Sequence, residues 1–195
     1  MTEQQPYDVV RDYGTFETRR YPEHVLAEVT VEGPFESAGN RAFGLLFGYI
    51  TGANATRTKI AMTAPVLQSS SDLMIDGVRR SPDIEDVSAP SGPERYRVAF
   101  VLPATLTAAS APVPADSTVQ LRTVPESVVA AARFSGSWSA ARYGAHREKL
   151  RADVRAAGLT AIGPDISARF DPPFMPAFLR HNEVLLEVDP STSSA

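Results

Sequence analysis

The residues able to do chemistry are few and widely spaced. The three histidines, His24, His146 and His181, never fall three or four apart, the spacing that sets two imidazoles on one helix face for a metal. There is no cysteine, so thiolate metal sites, disulfides and a thiol nucleophile are excluded. No serine sits in a Gly-x-Ser-x-Gly turn, no glycine-rich loop precedes a lysine, and no pair of carboxylates stands out from the surface charge. The remaining signals are apolar and flat. Phe43 and Phe47 lie four apart, the spacing of one side of a helix, and serve equally as core or as a groove wall. Phe174 and Phe178 are less easily core, because Pro172, Pro173 and Pro176 break up any regular element around them. Asp171, before the proline pair, has the position of a turn residue, and Met62 and Met175 are soft, adaptable side chains. Such residues suit gripping a flat apolar ligand better than turning one over.

The elements that must position them repeat. Tyr21-Pro22-Glu23-His24-Val25-Leu26-Ala27 matches Val124-Pro125-Glu126-Ser127-Val128-Val129-Ala130 at an offset of 124 minus 21, or 103 residues. The same offset carries Gly33 onto Gly136, Phe35 onto Trp138 and Ala38 onto Ala141. A Pro-Glu turn, an apolar strand, a glycine and an aromatic opening a helix thus occur twice in one order, the mark of a duplication with halves at about 7–103 and 115–189. In the first half, residues 15–20 and 25–31 read as a hairpin around Pro22-Glu23, and residues 35–50 as an amphipathic helix ending at Thr51-Gly52. Further strands are expected at 59–62, 66–68 and 96–102, with a long polar loop over 69–93 that holds short strand pieces near 73–75. The second half predicts strands at 119–124 and 128–134, a helix over 137–157 capped by Ser137, and strands at 166–170 and 183–188. The core is expected at Val29, Val31, Leu46, Ile50, Phe100, Val129, Phe134, Leu150 and Leu186.

The expected class is α+β in one domain spanning 1–195, its duplicated halves joined into a curved sheet or a distorted antiparallel β-barrel flanked by two long helices. A hydrophobic fraction of 43% and a charged fraction of 22% are those of an ordinary globular chain. The net charge of −4 argues against a nucleic-acid surface. No window approaches the apolar length of a membrane span, and a cytoplasmic location is expected. Arginine supplies 17 of the 19 basic residues, the lysines being Lys59 and Lys149.

Three segments carry a resemblance: the opening Phe16-Glu17-Thr18-Arg19-Arg20-Tyr21, the run Lys59-Ile60-Ala61-Met62-Thr63-Ala64-Pro65-Val66, and Phe170-Asp171-Pro172-Pro173 leading to Arg180-His181-Asn182-Glu183-Val184. In this order they resemble the SOUL family of haem-binding proteins, which is related in fold to gyrase-inhibitor-like effector-binding domains. The resemblance implies a pseudo-twofold barrel with two long helices. It also implies noncatalytic binding or carriage of haem or another tetrapyrrole in an apolar groove beside the first helix and the loop before the last strand. Carried over, one wall is Phe43, Leu46 and Phe47 and the other Phe174, Met175 and Phe178. The cationic residues that meet haem propionates in animal relatives fall on Asn40, Gly48 and Met175, which carry no charge, leaving Arg41, Arg180 or Lys59 as substitutes. His181, beside the second wall, is the histidine nearest to an axial position. Two other readings stand beside this one, an effector-binding module for another amphipathic small molecule and a haem-consuming enzyme. The implied partner is a small hydrophobic or tetrapyrrole ligand, with no nucleic acid and no membrane span.

Overall fold

A computed structural model describes residues 3–70, 74–75, 78–79, 94–172 and 174–191. Along the chain the elements are β1 (Glu3–Gln4), β2 (Asp8–Asp12), β3 (Glu17–Tyr21), β4 (His24–Glu32), α1 (Phe35–Thr51), β5 (Thr63–Ala64), β6 (Val66–Ser70), β7 (Met74–Ile75), β8 (Val78–Arg79) and β9 (Arg95–Val101). There follow β10 (Gln120–Val124), β11 (Ser127–Phe134), α2 (Ala140–Ala156), β12 (Ala161–Arg169), a 3-10 turn (Ala177–Leu179) and β13 (Asn182–Val188).

Nine strands form one antiparallel sheet in the order β10-β4-β9-β6-β12-β13-β11-β3-β2. This corrects the expected barrel. Closure requires the two outermost strands to pair, but β10 pairs only with β4 and β2 only with β3. The outer edge beyond β3 is taken by β2, an exposed strand that the sequence reading missed, so the sheet stays open.

The expected hairpin of residues 15–20 with 25–31 is also corrected: β3 pairs with β11, and β10 pairs with β4. A two-residue hairpin loop needs positive φ at one or both central positions. Pro22 cannot adopt it, and Arg57 is the one non-glycine residue in the described structure with φ above zero. Each Pro-Glu therefore sends the chain onward to the other half instead of folding it back. The offset of 103 reappears in the register, where Val124 opposite His24 corresponds to Tyr21 opposite Ser127. It reappears again at the strand ends. Gly33 and Gly136 have φ of 123° and 120°. In each case an arginine of the following helix donates to the carbonyl just before the glycine, Arg41 Nη1 to Glu32 O at 2.9 Å and Arg142 Nη1 to Ser135 O at 3.1 Å.

Both helices pack on one face of the sheet. Strand alternation turns Val25, Ala27 and Val29 of β4 toward Ala38, Ala42, Leu46 and Ile50 of α1, with Val98 and Phe100 of β9. Phe134, Leu150, Val154, Val184 and Leu186 make the equivalent layer under α2. On the opposite sheet face Leu26, Leu67, Val101, Ala131 and Leu185 form a third apolar cluster. The amino-terminal segment runs beside it: β1 pairs with β5, and Tyr7 packs against Tyr21 with ring centroids 5.3 Å apart.

Most of the expected core is buried, although Val31 and Val129 are only partly covered. α2 begins later than expected, capped by Ser139, whose hydroxyl accepts from Arg142 N, and not by Ser137. Residues 59–62 are not a strand; β5 starts at Thr63. Most of the loop expected over 69–93 lies outside the described residues, apart from the pairing of β7 with β8. No helix among the described residues is long and apolar enough to cross a membrane.

Candidate functional site

α1 presents two rings to solvent. Its buried stripe runs through Ala38, Gly39, Ala42, Leu46, Tyr49 and Ile50, and Phe43 and Phe47 lie at the margin of that stripe, 40% and 43% exposed. The rings are nearly parallel, 5.4 Å apart at 14°, and Phe43 is braced edge-on by Phe100 at 5.7 Å. Leu46 is wholly buried in the core beneath them and offers no surface to a ligand. Arg41, two positions from Phe43, points to the other side of the helix, where it holds the end of β4. Lys59 is exposed.

The second expected wall lies in residues 171–172 and 174–181, which are tied together at the neck. The Asp171 carboxylate accepts from His181 N at 2.6 Å, and Phe170 N donates to His181 O. Inside the loop Met175 N donates to Pro172 O, and Arg180 Nε donates to Met175 O at 2.8 Å. Phe174 and Phe178 project from it, 85% and 75% exposed, so neither is core. Asp171 is the turn residue its place before the prolines indicated.

His181 is engaged. Its ring stacks on Phe170 at 4.0 Å and 4°, and its Nε2 lies 2.7 Å from Glu183 Oε1. Glu183 is buried and also receives Arg19, Nη1 at 2.7 Å and Nη2 at 3.0 Å. Arg19 bonds Glu17 and the Tyr21 hydroxyl as well, and lies 4.2 Å from the centre of the Tyr7 ring. Burial alone would raise the Glu183 carboxyl, but the hydrogen bonds and charges of His181 and Arg19 hold it below its usual range. Burial pushes the Tyr21 hydroxyl up to about 12. A buried glutamate–arginine pair thus reaches from β13 across to β3.

Sequence reasoning passed over Arg169, at the end of β12. Its guanidinium donates to Gln68 Oε1 at 3.1 Å, lies 4.5 Å from the centre of the Trp138 ring, and is so close to α1 that a Cβ on Gly39 would fall upon it. Burial first, and the charge of Arg180 second, push its pKa down to about 10. The only sequence signal was alternation along β12, which turns Ser167 and Arg169 toward the helices.

The remaining histidines lie elsewhere. His24 Nδ1 is 2.8 Å from Pro22 O, and His146 stacks on Phe134 at 4.2 Å. Burial lowers the pKa of both. No group of three or more His, Asp or Glu side chains among the described residues could hold a metal ion.

An open antiparallel sheet with two helices on one face, entered twice by the same strand-helix pattern, defines an α+β fold shared with known structures. The C-terminal domain of EcmrR superimposes with a TM-score of 0.61 over 94% of this chain and 98% of that one, at 11% identity. A hydrolase encoded by lin2189 from Listeria innocua gives 0.54 over 88% and 91%, at 13% identity. At these identities the likeness is one of fold alone. The chain itself belongs to the SOUL heme-binding protein family, whose pattern matches residues 2–187. Heme-binding protein 1 of Xenopus laevis is 28% identical over 183 residues, covering 89% of this chain and 84% of that protein.

Proposed function

We propose that this protein is a noncatalytic binder or carrier of haem or another tetrapyrrole, held against the outer face of α1 beside the loop over residues 171–181. The observation that carries the reading is the pair of parallel, half-exposed rings of Phe43 and Phe47, braced on Phe100, in a member of the SOUL family. A porphyrin needs a flat apolar surface of this kind, and the exposed Phe174 and Phe178 supply a second one. The named relative from Xenopus laevis supports haem as the ligand class. The residues fit the macrocycle better than its iron. His181 is already bonded through Nε2 to Glu183 and stacked on Phe170, and Met175 is the one sulfur in the loop. When bound, haem would supply the colour by which binding is followed. Phe43 and Phe47 would cover part of its face, while the ties of His181 and Asp171 hold the neck of the loop.

Titration with haem and with iron-free protoporphyrin IX tests this reading. Saturable spectral shifts with both are expected, and the absence of binding by either would overturn it. The engaged histidines favour one further reading, an effector-binding module for another amphipathic planar molecule without iron. Binding of iron-free porphyrin far tighter than haem would point that way. The repeated register supports treating the chain as one domain of two duplicated halves, since β3 and β10 each pair across to the other half.

A further inference from the structure

Arg169 is a cation withdrawn from water without a counter-charge. Arg19 has Glu183, Arg151 has Asp165, and Arg97 and Arg122 share Glu28. Among the described residues no carboxylate lies within ion-pair distance of Arg169, whose contacts are a neutral amide at Gln68 and the Trp138 ring. A guanidinium is costly to desolvate unless it is paired, and a second positive charge, Arg180, adds repulsion. Beside it lies a donor with nothing to donate to: Trp138 Nε1 is the one buried side-chain polar atom without a partner in the described structure. An uncompensated guanidinium at Arg169 and an orphan N–H at Trp138, with the positive charge of Arg180 nearby, are the complement of an anion with oxygen acceptors. A carboxylate suits best, because a guanidinium takes one through two parallel hydrogen bonds.

The position is as telling as the charge. Gly39, against which Arg169 lies, is one helical turn before Phe43 on α1. Arg180 holds the Met175 carbonyl within the loop that carries Phe174 and Phe178. The cations therefore connect the two aromatic surfaces. We propose that Arg169, with Arg180 and the Trp138 indole N–H, receives the carboxylate of an amphipathic ligand whose apolar body lies on Phe43 and Phe47. The location of that body rests on the function proposed above; the anion site rests on Arg169 and Trp138.

The test uses the whole chain, its R169Q and R169K variants, and two porphyrins differing only in their carboxylates, protoporphyrin IX and its dimethyl ester, followed by fluorescence. R169Q is expected to weaken the diacid about tenfold or more, equivalent to about 1.4 kcal/mol. The ester should bind wild type and R169Q alike, and R169K should recover part of the loss. Equal diacid affinity in wild type and R169Q would overturn the assignment. If the wild type binds neither porphyrin, the tetrapyrrole reading fails while the anion site stays testable with dodecanoate, a carboxylate without a macrocycle. Trp138 is the chain's sole tryptophan, so its indole N–H gives a single NMR signal. A saturable shift of that signal with dodecanoate supports the site, and an unmoved signal overturns it. The same wild-type measurement decides the matter if R169Q does not fold.

Discussion

His181 Nε2 lies 2.7 Å from Glu183 Oε1, so the aromatic loop is tied at its neck to a buried carboxylate that Arg19 grips from the other side. His181 and Glu183 are two residues apart at the loop end and the start of β13, while Arg19 comes from β3, 164 residues from Glu183, and the carboxylate at their centre is shared. Removing Glu183 would leave the buried Arg19 with only the partly exposed Glu17 as a carboxylate partner, and breaking a buried pair costs up to about 3–5 kcal/mol. E183A should lose about that much in denaturant unfolding. Replacing Arg19 and Glu183 together by apolar residues of similar size should lose markedly less, because the double change strands no buried charge and Glu17 is partly exposed.

The same carboxylate gives a pH dependence with a fixed sign. The Glu183 pKa is lowered in the folded protein below the ordinary glutamate value of 4.5. The stability it contributes is therefore complete above that value and is lost as pH falls through the lower folded one. The stability difference between wild type and E183Q should stay constant at neutral pH and shrink below about pH 4.5. Unfolding curves across that range check it, and a difference that grows on acidification would contradict the assignment.

Phe43 and Phe47 should matter more to binding than to folding. A fully buried Phe cut to Ala costs about 3–5 kcal/mol, and these rings are 40% and 43% exposed. F47A should cost about 1 kcal/mol, and F43A somewhat more because it also gives up the edge-on contact with Phe100. Leu46→Ala, fully buried beneath them, should cost about 2–5 kcal/mol. Denaturant midpoints set beside porphyrin titrations separate the roles. A double F43A/F47A protein that unfolds easily yet binds with unchanged affinity would make these rings core.

Iron should not depend on His181. If apolar contact and carboxylate pairing supply the affinity, H181A should change porphyrin affinity by no more than about threefold, under 1 kcal/mol. Because His181 also braces the loop through Glu183, a small loss is expected for haem and iron-free porphyrin alike. A loss of about tenfold confined to haem would make His181 an iron ligand.

How far the chain could be read follows from which signals are local. The strand alternation of β4, the helical spacing of α1 and the offset linking Tyr21 to Val124 lie within short windows, and the elements they mark are present. That Phe174 and Phe178 are not core was legible in the prolines around them. What failed was pairing. Pro22-Glu23 looks like a hairpin turn, but whether a strand folds back or crosses over depends on backbone φ and on a partner about a hundred residues away. Strand β2 carries no apolar alternation because it is an exposed edge. Leu46 and Arg41 share a helix with Phe43, and the sequence alone did not divide that helix between core, strand cap and surface. Arg169 was one arginine among 17 until three distant residues, Gly39, Gln68 and Trp138, were brought around it.

That surrounding makes the sign of a glycine substitution in α1 depend on one turn of helix. In an open helix position Gly→Ala gains about 1 kcal/mol from propensity, and Gly44, with nothing within 4 Å of a built Cβ, should show that gain. At Gly39 the new methyl would take the space of the Arg169 guanidinium, driving it off Gln68 and the Trp138 ring. A hydrogen bond from a charged donor is worth about 1.5–3 kcal/mol and the cation–π contact about 0.5–1 kcal/mol, together more than the propensity gain. G39A should therefore lose about 1–3 kcal/mol net while G44A is stabilised, both measured by denaturant unfolding. G39A should also bind protoporphyrin IX more weakly than G44A does, with little difference for the dimethyl ester. If G39A proves as stabilising as G44A, Arg169 does not rest against α1 in solution, and the anion site loses the contact that places it beside Phe43.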